Sequence, residues 1–118
     1  MNWITILFLV LIAGWFILPR LSWLGTNEAA RRIKDGALLL DVRTPAEFKG
    51  MKLPGSKNAP LGSINPEELT KDQDILVYCA SGMRSTSAVR QLKSMGFERV
   101  WNLGSYGRAQ TALSNSKS

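Results

Sequence analysis

The stretch over residues 74–88 limits most sharply what this chain can fold into. Residues 75–78, Ile-Leu-Val-Tyr, form a short apolar run of β-formers, which reads as a buried strand. The run delivers Cys79, the only cysteine in the protein, to the strand's C-terminal end. Ala80, Ser81 and Gly82 follow as a tight loop, and Ser85 or Thr86 is a good N-cap for a helix running on through Leu92.

A thiol between a strand end and a helix N-terminus has a definite chemical consequence. The free N–H groups of the first helical turn and the helix dipole favour an anion, so the thiolate gains over the thiol. Arg84 adds a fixed positive charge to the loop. Cys79 is therefore a candidate nucleophile; the alternative is an inert, buried structural cysteine. Protein tyrosine phosphatases and arsenate reductases share the order strand, Cys, loop, Arg, helix, but place five residues between Cys and Arg. Here there are four, Ala80, Ser81, Gly82 and Met83. The shorter cradle is too tight for a tetrahedral phosphate and suits a terminal sulfur carried on the cysteine.

Composition narrows the chemistry further. The chain has no histidine, which removes Cys-His and Ser-His dyads, His-ligated metals and a His general base. A single cysteine allows no internal disulfide and fits a reducing compartment. The formal charge of +6 suits anionic small substrates or an anionic membrane surface. No face combining aromatic and basic residues points to nucleic acid.

Residues 3–18 carry no charge and are almost wholly apolar. Counted through Leu24 the run reaches 22 residues, about 33 Å of helix, with Pro19 and Arg20 near one end. Trp3, Trp15 and Trp23 are placed to anchor it at the interfaces. A signal peptide is disfavoured by the missing basic n-region. The sequence thus predicts a transmembrane anchor and hinge over residues 1–25. Arg20, Arg31, Arg32 and Lys34 follow the run and no charged side chain precedes it, so the positive-inside rule puts the remaining domain in the cytoplasm.

That domain is expected over residues 26–113, with residues 114–118 as a frayed tail. Thr26 or Asn27 caps a helix through Lys34. Residues 37–42 read as a strand covered on both faces. Pro45 opens a short helix, residues 57–60 are extended, and residues 66–69 form a helical turn. The active-site helix runs to about Met95 with Gly96 as its C-cap. Residues 97–103 are the next strand, and residues 105–113 a last short helix. Strands alternating with helices define an α/β fold, a mainly parallel sheet flanked by helices, with functional groups at the strands' C-terminal ends. Both Cys79 and Asp41 fall there.

The loop Cys79-Ala-Ser-Gly-Met-Arg84-Ser85 resembles that of single-domain rhodaneses, the thiosulfate sulfurtransferase-like proteins. Residues 40–48, Leu-Asp-Val-Arg-Thr-Pro-Ala-Glu-Phe, are similar to the family's Asp-Val-Arg-x-Pro-x-Glu-Phe signature. Residues 53–60, Leu-Pro-Gly-Ser-Lys-Asn-Ala-Pro, resemble its Ile-Pro-Gly-Ala-x-Asn-x-Pro, and Gly96-Phe97 with residues 100–103 resembles its closing strand. Two departures stand out: Met51-Lys52 replaces the common Gly-His, and residues 104–107 hold a reduced form of the usual Gly-Gly…Trp pattern.

The resemblance implies a cofactor-free, metal-free sulfurtransferase. Cys79 would attack the outer sulfur of thiosulfate or a persulfide and pass it to cyanide or a thiol, a protein acceptor included. The backbone of Ala80, Ser81, Gly82, Met83, Arg84 and Ser85 would hold the sulfur, and Arg84 would bind the donor's anionic end. Ser85 is expected as a helix cap. Asp41 and Arg43 are expected as supporting residues, paired with neighbours such as Glu47. Lys52 extends the positive rim or is simply solvated, and Phe48, Tyr78 and Trp101 are core aromatics. The competing readings are a non-catalytic adaptor or sulfur-carrier module recruiting a partner to the membrane, and a phosphatase or arsenate reductase.

Overall fold

The apolar run at residues 75–78 is the centre of the sheet. It forms β3 (Ile75–Cys79), every residue of which is buried. β1 (Leu38–Asp41) and β4 (Val100–Ser105) flank it, and β2 (Lys57–Asn58) lies outside β1, giving the order β2-β1-β3-β4 with every pairing parallel. These features come from a computed structural model that describes residues 2–17 and 23–118.

Parallel neighbours need crossover connections, and the helices that supply them cover both faces of the sheet. Along β3 the side chains alternate. Ile75, Val77 and Cys79 face Ala88, Val89 and Leu92 of α4 (Met83–Ser94). Leu76 and Tyr78 face the other way, toward Ala29 of α2 (Thr26–Lys34) and Ala109 and Ala112 of α5 (Tyr106–Ser116). Alanine at these helix positions lets the two helices lie close to the sheet. The short α3 (Pro45–Gly50) begins with a capping box: Glu47 N donates to Thr44 Oγ1, and the Glu47 carboxylate accepts from the Thr44 amide. A 3₁₀ turn, Pro66–Glu68, is capped by Asn65.

Several boundaries differ from expectation. α4 starts at Met83, so Ser85 and Thr86 lie inside its first turn and neither caps it; Gly82, in the left-handed region at φ +100°, occupies the cap position. The chain turns this early because it must fold back over Cys79. α2 likewise starts at Thr26 behind Gly25, without a side-chain cap. Phe97 belongs to the α4 core and not to a strand, and β4 begins three residues later than expected, at Val100. Between Val77 and Tyr78 the pairing with β4 slips by one residue, leaving Leu103 as the extra residue before Gly104. The expected frayed tail is helical to Ser116: α5 is capped by Ser105, and Lys34 Nζ donates to the Ser118 carbonyl at 2.8 Å.

The N-terminal run forms α1 (Trp3–Ile17), 15 residues long. That is about 22 Å of helix, against a hydrocarbon core of about 30 Å. Among the described residues no helix is long and apolar enough to cross a membrane. The expected 22-residue span passes through residues 18–22, Pro19 and Arg20 included, which lie outside the described residues. Its last two positions belong to the domain: Leu24 is buried and donates its amide to Asn102 O at 3.0 Å, and Trp23 bridges to the same residue. Hydropathy alone does not separate an apolar residue bound for lipid from one bound for a sheet edge, and Trp23 therefore packs on the domain and does not end a span.

Candidate active site

Cys79 ends β3 with its side chain fully buried. The loop after it doubles back so that Gly82 N donates to Cys79 Sγ at 3.0 Å. This return needs the positive φ of Gly82, and it brings the loop against Gly104 and the Trp23 ring: a Cβ at residue 82 would stand 3.2 Å from Trp23 Cη2 and 3.6 Å from Gly104 Cα. Gly104 is as constrained, since a Cβ there would meet Trp23 Cζ3 at 2.9 Å. Ser81 forms an antiparallel bridge with Ser105. The loop is thus fixed by backbone packing on one side.

On the other side it is fixed by hydroxyls. Ser85 Oγ lies 2.9 Å from Gly82 O and 2.8 Å from Asn102 Oδ1, and Thr86 Oγ1 donates to Gly82 O at 2.9 Å. Asn102 Nδ2 completes the circuit by donating to Thr86 Oγ1 at 3.1 Å. Ser85 and Asn102 are both buried polar residues, so each satisfies the other. Ser85, expected as a cap, is instead a pin between the loop and β4. Asn102 does not stand out in the sequence, where its only signal is a polar residue within the apolar Val-Trp-Asn-Leu run.

The electrostatic result is a thiol that ionises more readily than a free one. Burial pushes the Cys79 thiol up, but the amides of Ser85, Gly82 and Ser81 and the Ser85 hydroxyl outweigh it and bring the thiol below its ordinary value. Backbone dipoles do this, with no histidine in the protein.

Arg84 does not stand free. Its Nη1 and Nη2 donate to Glu47 Oε1 and Oε2 at 2.6 and 3.0 Å, a two-bond pairing across 37 residues of chain. The Arg84 guanidinium, then the Thr44 amide, hold the Glu47 carboxyl down at about 2. Glu47 was expected beside Asp41 and Arg43; those two instead pair with each other. Arg43 Nε and Nη2 donate to the Asp41 carboxylate at 2.7–3.0 Å, the Asp41 carboxylate also accepts the Arg43 amide at 2.9 Å, and the guanidinium lies 4.8 Å from the Tyr106 ring centroid. Both are buried. Lys52 Nζ sits 5.5 Å from the Phe48 ring centroid. Ala80 and Ser81 are exposed, and Met83 is 80% exposed. Among the described residues no cluster of three or more His, Cys, Asp or Glu is arranged to hold a metal.

A parallel sheet with a cysteine, its thiol held down by backbone dipoles, in a short loop at its C-terminal edge defines a class of α/β domain. Residues 25–107 match the Rhodanese family, described as the rhodanese-like domain, and the chain belongs to that family. A protein named sulfurtransferase from Allochromatium vinosum is 37% identical over 82 residues, covering 66% of this chain and 77% of that one. The reduced Bacillus anthracis structure designated CoADR-RHD aligns with a TM-score of 0.67 at 34% identity, over 80% of this chain and 17% of its own. An NAD-dependent persulfide reductase from A. fulgidus aligns with a TM-score of 0.53 at 33% identity, over 61% of this chain and 14% of its own. This chain is a small part of the length of both latter proteins.

Proposed function

We propose that the protein is a sulfurtransferase that moves sulfane sulfur from a donor such as thiosulfate to a thiol or other thiophilic acceptor through a Cys79 persulfide. The observation that carries this reading is the Gly82 amide 3.0 Å from a Cys79 sulfur whose thiol is held below its ordinary value. The thiolate attacks the outer sulfur of the donor; the donor's S–S bond breaks, Cys79 gains the sulfur, and with thiosulfate the leaving group is sulfite. An acceptor nucleophile then takes the terminal sulfur and the thiolate is restored. The amides of Ala80, Ser81, Gly82, Met83, Arg84 and Ser85 serve as donors for the charge on the persulfide. Asp41 and Arg43 support the loop from the neighbouring strand end. A sulfur-carrier or adaptor role on the same fold is the second reading, favoured by the uncharged, exposed Met83 at the loop.

The domain is further proposed to work at a membrane surface, on the cytoplasmic side. α1 supports this: its described side chains from Trp3 to Ile12 are apolar, apart from Thr5, and exposed around the helix, and the basic residues of the sequence follow it. Carbonate extraction and protease protection of the full chain check both statements.

The enzymatic reading is tested by thiocyanate formation from a sulfane donor and cyanide with the full chain. Turnover that falls to background in Cys79→Ser supports it. A folded protein with a titratable thiol and no turnover from thiosulfate or a small persulfide would leave the carrier or adaptor reading in front.

A further inference from the structure

Beyond α1, the large hydrophobic side chains exposed among the described residues are Trp23, Met51, Leu61 and Met83. One exposed apolar residue is ordinary on a protein surface, but these four share one end of the sheet, where β1 and β3 stop. Met83 is in the loop, the Trp23 ring lies against Gly82 and Gly104, Met51 has its carbonyl on Arg43, and Leu61 has its amide on Val42 O. The charges at this end leave a positive surplus. Asp41 is closed on Arg43 and Glu47 on Arg84. Among the described residues Lys49 and Lys52, both exposed, stand in no ion pair with a carboxylate. The opposite end of the sheet is polar: Asp35, Asp72, Gln73, Asp74 and Arg99 line a hollow there.

The Trp23 ring ties this end to the N-terminal chain. Its backbone is clamped, since Leu24 N donates to Asn102 O at 3.0 Å and Arg108 Nη2 donates to Leu24 O at 2.6 Å. Ile17, the last residue of α1, lies six residues before Trp23. At most about 20 Å of extended chain therefore separates the apolar helix from the residue that packs on the Cys79 loop.

Resting on the reading that α1 holds the protein at a membrane, we propose that the Cys79 end of the domain docks on an anionic bilayer surface. Met51, Leu61, Met83 and Trp23 enter the interfacial layer, where apolar faces and tryptophan are favoured, and Lys49 and Lys52 meet the lipid headgroups. The polar hollow at the other end faces water. Because α1 keeps the domain at the surface, individually weak contacts suffice to hold this one orientation. The Cys79 loop then opens onto the lipid–water boundary and not onto bulk water.

The test uses the full chain in a Cys79→Ser background, which holds no other cysteine. A single nitroxide is carried on Met51→Cys or Leu61→Cys at the docking end, or on Asp72→Cys at the other. Each protein is incorporated into vesicles of equal parts phosphatidylcholine and phosphatidylglycerol. Collision of the label with oxygen and with a nickel chelate, present on both sides of the bilayer, reads its depth, and the melting temperature verifies the fold. The Met51 and Leu61 labels are expected to lose contact with the chelate and to lie about 5–10 Å deep in the interface, while the Asp72 label stays in water. Replacing phosphatidylglycerol with phosphatidylcholine is expected to return chelate contact to both docking-end labels; no change there overturns the anionic surface as the partner. Docking-end labels as accessible as the Asp72 label, on a protein that resists carbonate extraction, overturn the docking, leave the membrane reading in place and leave this end to a protein partner. An Asp72 label shielded as well as the other two overturns it equally. A protein that does not stay with the vesicles defeats the membrane reading, and this proposal with it.

Discussion

Two arginine–carboxylate pairs sit at the same edge of the sheet and do different work. Asp41 and Arg43 are two residues apart, with side chains 0% and 6% exposed. Glu47 and Arg84 are joined across 37 residues, with each side chain 35% exposed. The bond chemistry is alike, but the solvent is not. A buried pair cannot lose one partner without stranding a charge, so Asp41 and Arg43 are committed to holding the strand end, with Asn58 Nδ2 donating to both of their carbonyls at 3.0 Å. A half-exposed pair has water to fall back on and contributes little to stability. Arg84 and Glu47 can exchange their bond for water at little cost.

The contrast breaks first, if it is wrong, in the buried pair. Asp41→Asn leaves Arg43 without its counterion and is expected to cost about 3–5 kcal/mol, read by urea unfolding. A cost under 1 kcal/mol would erase the distinction. Ser85→Ala sharpens it with a neutral buried contact: losing the hydroxyl between Gly82 O and Asn102 Oδ1 is expected to cost about 1–3 kcal/mol. It also removes one of the contributions that hold the Cys79 thiol down, so the pH midpoint for alkylation by iodoacetamide should rise toward that of a free thiol, about 8.5. Arg84→Met should cost no more than about 1 kcal/mol while changing donor kinetics. The smallest effect is acid titration of Glu47. Its carboxyl lies below the ordinary range, at about 2, so its contribution is complete above the ordinary carboxylate range and fades as pH falls toward that value. An NMR titration of the Glu47 carboxyl with a midpoint near 4 would mean that the ion pair is not formed in solution.

What the sequence made legible follows the same division between local and distant causes. β3, the turn at Gly82, the short helix opened by Pro45 and the order of strands and helices are written in neighbouring residues, and they place Cys79 and Asp41 at the strand ends. The α4 start was not legible, because Ser85 and Thr86 look like caps until Asn102, 16 residues past Thr86, draws on both of their hydroxyls. Glu47 as the partner of Arg84 was hidden for the same reason, since only the fold brings α3 against the loop. Trp23 and Leu24 read as the end of an apolar run, yet their partners are Gly82, Gly104 and Asn102. The helical tail is not legible in the sequence because its C-terminal residues are polar, while a contact that fixes it comes from Lys34 on α2.

The central claim is that Cys79 carries sulfur, and the intact mass of the full chain after exposure to a sulfane donor tests it most directly. Wild type is predicted to gain about 32 Da, one sulfur on the nucleophile, to lose it to cyanide as thiocyanate, and Cys79→Ser to gain nothing. A folded wild type that gains no mass from thiosulfate or from 2-hydroxyethyl persulfide, or a gain that persists in Cys79→Ser, would contradict the account.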